Sequence, residues 1–498
     1  MHDPLWTHTA DVPDFPPLTA DATCDVCVVG GGIAGISTAY RLAREGVDVM
    51  LVEKGHLGSG ETRHTSAHLA SALDDRFFRI EKQHGEEGAR MAAHSHAVAI
   101  DWIEAVAAEE GIECGFQRLT GYLFLGPDDD RELLDRELDA SRRAGLAVGR
   151  VDRAPLTSFD TGPCLAFQEQ ARFHPLRFLA GVARALDHRG SRIHTHTRVV
   201  GLDDTRSRGA RSIHTADGHT IAAEHVVLAT NSPSGHYLTT LKMVPYRTFV
   251  IALRLTERVA DALYWDTAEP YHYIRLAEDD DGALLLVGGG DYQTGTRDAG
   301  EESLRNLETW ARERFPVGDV AYEWSGQVLE PADAMAFIGE EQTESRVYVV
   351  TGDSGQGLTH GVVGALLLGD LVLGRKNPWE ALYAPSRVTL SAAPEYAKDM
   401  VNIGSRFLEW LVPGEVESED EVPAGHGAIL RAGLKRVAVY RDDAGAVHRR
   451  SAVCTHAGCV VHWNSTSRGW ECPCHGSRFS PTGEVMSGPA MQDLAVAD

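Results

Sequence analysis

The stretch Val28-Val29-Gly30-Gly31-Gly32-Ile33-Ala34-Gly35 decides the fold of the N-terminal part of this chain. It joins an apolar run, residues 24–29, to a segment of helical periodicity, residues 33–45, and a second apolar run follows at residues 47–53. Its glycines fit G-x-G-x-x-G, in which the first permits a tight turn, the second lets a pyrophosphate approach the backbone, and the third lets helix and strand pack closely. The sequence therefore predicts a βαβ unit that binds a dinucleotide.

Glu53 closes the second predicted strand of this unit. An acid at that position accepts a hydrogen bond from a ribose hydroxyl, and the N-terminus of the intervening helix faces the phosphates. A glycine turn with a purely structural role is the alternative. The βαβ unit alone does not distinguish NAD from FAD as the bound dinucleotide. Other segments of the chain are needed to distinguish them.

Three further segments resemble the D-amino-acid oxidase-like family of FAD-dependent amine and amino-acid oxidoreductases. They are Gly-Ser-Gly-Glu-Thr at 58–62, Val-Val-Leu-Ala-Thr-Asn at 226–231, and the glycine-rich segment 349–361. The resemblance covers about residues 22–375 and implies an α/β FAD-binding Rossmann-type domain with an inserted antiparallel-sheet substrate domain. The FAD-binding residues expected on this basis are Gly30, Gly32, Ile33, Ala34, Gly35, Glu53, Lys54, Gly60, Thr62, His64, Val199, Ala229, Thr230, Gly352, Gly355, Gly357, Leu358 and Thr359.

The segment 349–361 returns to the flavin in the family that the chain resembles. A glycine-rich turn that opens a helix from about Leu358 would aim backbone N–H groups and the positive end of a helix dipole at the flavin pyrimidine. Such a site stabilises the negative charge of reduced flavin. A glycine turn followed by an ordinary core helix is the alternative.

His64 raises the question of how the flavin is attached. Thr62-Arg63-His64 resembles the Thr-Trp-His of dimethylglycine dehydrogenases, whose histidine carries covalently bound flavin, although Arg63 stands here in place of tryptophan. Covalent attachment, non-covalent contact with the flavin, and a purely structural histidine are the three interpretations.

Candidate substrate residues lie in the central part of the chain, which covers the flavin in the resembled family. An arginine there could hold a substrate carboxylate through two parallel hydrogen bonds. Each of these residues also has a structural interpretation. The candidates are Tyr246, Arg247, Tyr271, Tyr273 and Arg275, and the catalytic candidates add His64 and His360 to Tyr246, Arg247 and Arg275.

Two cysteine- and histidine-containing boxes predict a metal centre near the C-terminal end of the sequence. Cys454-x-His456 is followed, after 15 intervening residues, by Cys472-x-x-His475. In a Rieske [2Fe–2S] cluster, two thiolates hold one iron and two imidazoles hold the other. The pattern is that of a Rieske domain over about residues 421–498, and a mononuclear zinc site with the same four ligands is the alternative.

Each box contains a second cysteine, Cys459 and Cys474, that is not needed as a ligand. In respiratory-chain Rieske proteins, which these boxes resemble, the equivalent cysteines form a disulfide that braces the two ligand loops. The resemblance therefore implies a disulfide here, and two free thiols in contact are the alternative.

The order of segments predicts two main parts joined by a linker. Residues 1–392 form the oxidoreductase, with FAD-binding segments at about 22–75, 170–235 and 335–375 and substrate, or cap, segments at about 76–169 and 236–334. Residues 393–420 are a helix and an acidic linker, and residues 421–498 are a small all-β Rieske domain. A proline-rich lead-in, residues 1–23, is expected to lie on the surface in an extended form.

Charge and composition exclude several classes of function. The formal net charge of −25 at pH 7 does not supply the basic surface that a nucleic-acid partner needs. No stretch is long and apolar enough to span a bilayer, and the first residues lack the features of a signal peptide, so a cytoplasmic location is expected. A second dinucleotide unit, which an NADH-fed reductase of a Rieske oxygenase would need, is not visible.

FAD takes up a hydride, which carries two electrons, whereas a [2Fe–2S] cluster moves one electron at a time. A chain with both cofactors can therefore couple a two-electron oxidation to one-electron transfer. The sequence predicts a dehydrogenase that oxidises a C–N bond of an amine or amino acid and relays single electrons to an external acceptor such as a ferredoxin, a cytochrome or a quinone. The alternatives are an oxygen-using amine oxidase with a structural or regulatory cluster, and a non-catalytic redox carrier or sensor.

Overall fold

The structure, a computed structural model, describes residues 3–204, 210–232, 238–433 and 435–497. Its α-helices run Leu5–His8 (α1), Ile33–Ala43 (α2), Phe77–Glu109 (α3), Arg131–Arg143 (α4), Pro175–His188 (α5), Gly300–Arg312 (α6), Gly357–Val372 (α7), Glu380–Tyr383 (α8) and Ala393–Arg406 (α9). No helix in this part of the chain is both long and apolar enough to cross a membrane.

The strands fall into four sheets. In the oxidoreductase part they are Ala22–Val29 (β1), Val49–Val52 (β2), His68–Leu69 (β3), Gln117–Phe124 (β4), Val148–Val151 (β5), Cys164–Arg172 (β6), Arg192–His194 (β7), Val199–Asp204 (β8), Arg211–Thr215 (β9), Thr220–Leu228 (β10), Met243–Leu255 (β11), Leu263–Asp266 (β12), His272–Asp279 (β13), Gly282–Gln293 (β14), Val317–Pro331 (β15), Phe337–Glu340 (β16) and Val347–Thr351 (β17). Those of the C-terminal part are His426–Ala432 (β18), Lys435–Arg441 (β19), Val447–Ser451 (β20), His462–Asn464 (β21), Gly469–Glu471 (β22), Arg478–Phe479 (β23) and Val485–Ser487 (β24).

The first sheet has the order β16-β17-β10-β1-β2-β7, with β9 and β8 added beside β10. Strands β17, β10, β1, β2 and β7 run parallel, and α2 forms the crossover from β1 to β2. Helices α2 and α7 pack against each other, and a β-carbon at Gly361 would lie 3.0 Å from Cγ2 of Ile33. This close approach brings the N-termini of both helices to one edge of the sheet.

The second sheet, which we call the cap sheet, has the order β15-β11-β14-β13-β12-β4-β6-β3, with β5 beside β6. Its neighbours pair antiparallel except β12 and β4. Apolar side chains cover both of its faces, and the long strands β11 and β15 reach from the cap sheet towards the first sheet. The cap sheet therefore forms the second wall of the interior.

The C-terminal part contains two small antiparallel sheets, β18-β19-β20 and β21-β22-β23-β24. Helix α9 and the 3₁₀ turn Phe407–Leu411 lead into it, and Trp410 donates a hydrogen bond to the carbonyl of Gly458 at 3.2 Å. The acidic run that follows is partly paired rather than free in solvent, since the Glu415 side chain contacts His462 and the backbone of Ile429.

The expectation that the lead-in lies extended on the surface is wrong at its start. Residues Leu5–His8 form a short helix, and Leu5 and Trp6 are buried in the main core. The indole of Trp6 donates a hydrogen bond to the carbonyl of Thr65 at 2.7 Å and lies under the guanidinium of Arg275. The composition of the segment did not reveal this, because its partners lie far away in sequence.

Candidate active site

A cavity of about 430 Å³ lies between the first sheet, the cap sheet and the C-terminal part. It brings together most of the residues predicted to bind the dinucleotide. Those that line it are Gly30, Gly32, Ile33, Ala34, Glu53, Lys54, Gly60, Thr62, His64, Val199, Ala229, Thr230, Gly355, Gly357 and Leu358, together with the catalytic candidate His360. Outside the lining stand Gly35, Gly352, Thr359, Tyr246, Arg247 and Arg275.

The glycine turn before α2 leaves no room for side chains. A β-carbon at Gly30 would lie 2.4 Å from the carbonyl oxygen of Ala229, and one at Gly35 would lie 1.8 Å from the carbonyl oxygen of Gly30. Gly30 also has a φ of +112°, which favours glycine. Gly35 thus serves the turn by allowing close packing, although it does not face the cavity.

Glu53 and Thr62 hold the backbone of this turn in place. The Glu53 carboxylate accepts hydrogen bonds from the N–H groups of Gly31 at 2.6 Å and Gly55 at 2.9 Å. The Thr62 hydroxyl oxygen accepts one from the N–H of Ile33 at 3.0 Å. The N-cap residue of α2 is Gly32, which has no side chain, so apart from the Ile33 N–H the first turn of the helix and its dipole face the cavity, as binding of a pyrophosphate requires.

A second helix N-terminus, that of α7, opens on the same cavity. Gly352 and Gly355 have φ values of +73° and +77°, which turn the backbone from β17 into the helix. No side-chain cap covers its first turn, so backbone N–H groups are available to the cavity. Thr359 points away, with its hydroxyl 2.8 Å from Nδ1 of His96 on α3.

His360 lines the cavity, but both of its ring nitrogens are occupied. Nδ1 lies 2.9 Å from the carbonyl oxygen of Asp353 and Nε2 lies 3.1 Å from Nε2 of His96. Burial lowers the pKa of His360 to about 4, so the ring is neutral at physiological pH. This arrangement fixes the loop in front of α7 and leaves His360 without a free nitrogen for proton transfer.

His64 lies in the 3₁₀ turn Glu61–His64 at the cavity wall. Its Nδ1 is 3.7 Å from a Glu61 carboxylate oxygen, its side chain is 13% exposed, and burial lowers its pKa. Its backbone carbonyl accepts a hydrogen bond from the Trp324 indole at 2.9 Å. The ring is therefore a neutral group held beside the cavity.

Denatured protein is expected to release its FAD, because Arg63 replaces the tryptophan of the covalent Thr-Trp-His pattern and we expect His64 to touch the flavin without a bond. Mass spectrometry of the acid-denatured chain measures this directly. A peptide containing His64 that keeps the mass of one FAD would contradict the prediction.

The arginines expected to hold a substrate carboxylate point elsewhere, and this corrects the interpretation of the sequence. Arg275 is buried and donates hydrogen bonds to the carbonyl oxygens of Ala67 at 2.5 Å and Phe173 at 3.3 Å. Arg247 is fully buried, with Nε 3.3 Å from a carboxylate oxygen of Glu471. Their alternating positions on cap strands place both guanidinium groups away from the cavity.

Tyr246 also lies outside the lining, and burial raises the pKa of its hydroxyl to about 12. Tyr271 and Tyr273, by contrast, do line the cavity. Sequence reasoning missed Asp74, Gln327 and Arg478 as further lining residues. Asp74 and Gln327 come from segments without a recognisable motif, and Arg478 follows the second ligand box, whose motif gave no sign that it would reach the FAD cavity.

Buried carboxylates crowd the end of the cavity next to α7. Asp74 and Asp353 line it, and Asp75, Asp291 and Glu330 lie beside them. Burial raises the pKa of Asp75, Asp291 and Asp353 to about 7 each, and burial together with the neighbouring carboxylates raises that of Glu330 well above its ordinary value. This end of the cavity is therefore acidic and short of positive charge.

Replacing Asp75 with asparagine is expected to stabilise the protein above pH 7 and to have little effect near pH 4. The folded protein holds a proton on Asp75 up to about pH 7, whereas the unfolded chain releases it near pH 3.9, so the free energy of unfolding falls as the pH rises through this window. Asparagine removes that loss, which for a difference of about three pKa units is at most about 4 kcal/mol. Thermal unfolding of the holoenzyme at several pH values measures the gain, and a variant no more stable at high pH would contradict it.

The C-terminal part presents the four predicted cluster ligands on two loops. His475 is 4% exposed, and neither of its ring nitrogens has a hydrogen-bond partner among the described residues. The rings of His456 and His475 lie with centroids 4.9 Å apart. A hydrogen bond from the Cys472 thiol, with backbone N–H groups of the first loop, lowers the pKa of Cys454 to about 7. Two buried sulfurs and two adjacent imidazoles suit a Rieske cluster.

The second cysteine of each box takes part in bracing the loops. Cys459 and Cys474 form a disulfide, and its sulfur atoms lie within 4.8 Å of the Cys472 sulfur. The Ser477 hydroxyl accepts a hydrogen bond from the N–H of Ala490 at 3.0 Å, which ties the second box to the Gly488-Pro489 loop. The disulfide thus joins the two ligand loops, and the hydrogen bond joins the second of them to the Gly488-Pro489 loop.

The second ligand box and the loop after it also touch the cavity wall. Gln327 lines the cavity and donates a hydrogen bond to the carbonyl of Gly476 at 3.1 Å. Arg478, two residues further on, lines the cavity and pairs with Glu61 at 3.1 Å. Lys54 donates a hydrogen bond to the carbonyl of Met486. The two predicted cofactor sites therefore share a wall.

The family follows from a match over most of the chain. Residues 25–371 match the model of the family described as FAD dependent oxidoreductase, and residues 413–498 match that of the Rieske [2Fe-2S] domain. The chain belongs to the FAD dependent oxidoreductase family. FAD and a Rieske [2Fe–2S] cluster are its cofactors, which confirms both cofactor predictions.

Relatives of this FAD dependent oxidoreductase support the assignment. It is 30% identical over 500 residues to the protein named Rieske 2Fe-2S iron-sulfur protein YhfW of Bacillus subtilis (strain 168), covering 99% of this chain and 97% of that one. It is 27% identical to gamma-glutamylputrescine oxidoreductase of Escherichia coli (strain K12), covering 74% of this chain and 88% of that one.

Among solved structures, glycine oxidase from Geobacillus kaustophilus superposes on this FAD dependent oxidoreductase with a TM-score of 0.61 at 19% identity, covering 74% of this chain and 99% of that one. The similarity shows a shared fold. The predicted fold class, a Rossmann-type FAD domain with an inserted antiparallel sheet and a small all-β Rieske domain, is confirmed.

Proposed function

We propose that this protein is an FAD-dependent dehydrogenase that oxidises a C–N bond of a small amine or amino acid and passes the electrons singly through its Rieske cluster to an external acceptor. The observation that carries the proposal is the position of Gln327, one side chain that touches both the FAD cavity and the second ligand box. Relatives named for amine and amino-acid oxidation support the substrate class.

The interface between the two sites is polar, buried and specific. Gln327 is 2% exposed, and Arg247 and Glu471 form a fully buried ion pair beside it. The pair of Glu61 and Arg478 adds a second, partly buried link between the cavity wall and strand β23. Such paired charges fix the register of two surfaces, because a shifted register would leave buried charges without partners. The cluster loop is thereby held at a constant separation from the cavity.

The two ligand boxes differ in exposure, and the difference gives the relay a direction. Residues 472–479 of the second box are all buried, and Gly476 and Arg478 among them contact the oxidoreductase part. In the first box His456 is partly exposed and Ala457 is exposed. Electrons would therefore reach the cluster on its buried side and leave on the side of His456, where an acceptor such as a ferredoxin, a cytochrome or a quinone has access.

FAD supplies two-electron chemistry and the cluster supplies one-electron chemistry. The chain contributes the two helix N-termini that favour negative charge in the cavity and the neutral His64 and His360 at its wall. Each substrate molecule that loses two electrons would reduce two molecules of a one-electron acceptor.

Anaerobic stopped-flow spectroscopy tests the relay. On mixing with a reducing amine, the flavin absorbance is expected to bleach first and the cluster absorbance afterwards, and added ferricyanide should be consumed at two molecules per substrate. Flavin bleaching with an unchanged cluster, together with stoichiometric hydrogen peroxide in air, would support an oxygen-using oxidase and contradict the proposal.

A further inference from the structure

One end of the cavity, which we call the acidic aromatic end, is built from cap residues and the loop before α7. Its lining includes Asp74, Tyr271, Tyr273 and Trp265. The rings of Tyr271 and Tyr273 lie with centroids 5.5 Å apart, and the Tyr271 hydroxyl donates a hydrogen bond to Asp74 at 3.2 Å. A carboxylate beside aromatic faces is the arrangement that recognises an ammonium group.

The carboxylates at this end are not neutralised by the chain. Among the described residues none of Asp74, Asp75, Asp291, Glu330 and Asp353 forms an ion pair, and Oδ1 of Asp291 is buried without a hydrogen-bond partner. His68, which also lines this end, has its pKa lowered to about 3 by burial and is therefore neutral. Buried carboxyl groups without a cation keep their protons to higher pH, and a cationic ligand beside them favours the ionised form.

Positive charges line the opposite side of the cavity, where Lys54, Arg198 and Arg478 have partners and Nε of Arg63 is buried without a hydrogen-bond partner among the described residues. Lys54 and Arg198 donate hydrogen bonds to carbonyl oxygens of the loop that follows the second ligand box, those of Met486 and Met491. Arg478 pairs with Glu61. Arg247 and Arg275 point away from the cavity, and Arg76, whose charge acts on Asp74, lies outside the lining and donates a hydrogen bond to the carbonyl of Asp266. The charges of the cavity are thus segregated, with bases at the Rieske side and acids at the acidic aromatic end.

We propose that the acidic aromatic end binds a second positive charge on the substrate, so that the substrate class is a diamine or polyamine rather than an amino acid. The ammonium group distant from the oxidised C–N bond would lie against Asp74 and the faces of Tyr271 and Tyr273. This inference rests on the proposed amine oxidation and narrows it.

The same geometry disfavours a substrate carboxylate. An anion at this end would meet Asp74 and Asp353 within one cavity, with no guanidinium to form the paired hydrogen bonds that usually hold a carboxylate. Like charges in a partly desolvated site repel strongly, so an amino acid would bind here with its carboxylate unpaired. The distal charge of the substrate is therefore the property that the cavity selects.

Three four-carbon amines that differ only at the distal end test the proposal: butylamine, 1,4-diaminobutane and 4-aminobutanoate. The dissociation constant of each is measured on the holoenzyme from the anaerobic bleaching of the flavin, or from the change in the flavin visible spectrum for a compound that does not reduce it. The diamine is expected to bind about tenfold more tightly than butylamine, and 4-aminobutanoate more weakly than either.

Variants of Asp74 test whether its carboxylate causes the preference for the diamine over butylamine. Asp74→Asn is expected to reduce the preference for the diamine over butylamine to about threefold or less, and Asp74→Glu to restore much of it. Tyr271→Phe removes the hydrogen bond to Asp74 but keeps the aromatic face and the carboxylate, so the preference for the diamine should persist. If one Asp74 variant does not fold, the other variant still tests the role of the carboxylate. The comparison of the three amines in the unchanged protein tests the preference for a second positive charge.

Tighter binding of 4-aminobutanoate than of the diamine, or an unchanged preference in a folded Asp74→Asn protein, would overturn the inference. These outcomes are separate from those that test the relay. A charge preference seen in the flavin spectrum without electron transfer to the cluster would leave the substrate class standing and refute the proposed function.

Discussion

Replacing His475 with alanine is expected to lower the rate of acceptor reduction by about 100-fold or more while the flavin is still reduced by substrate. The ring of His475 is buried, both of its nitrogens lack protein partners among the described residues, and its box touches the cavity wall through Gly476 and Gln327. Without this ligand the cluster is lost, whereas the residues that line the FAD cavity remain. Anaerobic flavin bleaching and ferricyanide reduction, measured on the same preparation, separate the two effects.

The matched control is His426→Ala, which removes an exposed histidine from strand β18 of the same domain. It should keep the paramagnetic resonance of the reduced cluster and the full rate of acceptor reduction. Full turnover in His475→Ala protein that lacks the cluster signal would show that electrons leave the flavin by another route, and the relay would have to be abandoned.

Replacing Gly35 with valine is expected to lower the amount of FAD in purified protein by about tenfold or more. Even the first carbon of a side chain would lie 1.8 Å from the carbonyl oxygen of Gly30, so the turn must move. Moving it displaces the N–H groups at the start of α2 from the position of the pyrophosphate. The flavin absorbance per protein measures the loss, and the cluster signal reports whether the Rieske part is still folded.

Two further variants serve as a control and as a milder change at the same turn. Gly149→Ala adds the same first carbon on β5, where no atom lies within 4 Å, and should retain FAD. Thr62→Val removes the hydroxyl that accepts the N–H of Ile33 without changing the volume, and should weaken FAD binding less than the change at Gly35. Normal flavin content in a folded Gly35→Val protein would contradict the assignment of this turn.

The sequence alone determined the features that depend on a few neighbouring residues. The turn at Gly30–Gly35 and the spacing of Cys454, His456, Cys472 and His475 follow from backbone geometry and ligand chemistry over short distances, so they could be predicted. The fold class followed from the same motifs because each occurs within a characteristic arrangement of strands and helices.

The tertiary structure alone decided which side chains meet across the cavity. Arg247 and Arg275 were predicted to face the substrate, and their orientations depend on Glu471 and on backbone carbonyls of distant segments. Gln327 and Gly476 meet although 149 positions separate them. Such contacts are set by the packing of whole sheets against each other, and the free energy of that packing is not encoded in any local pattern of residues.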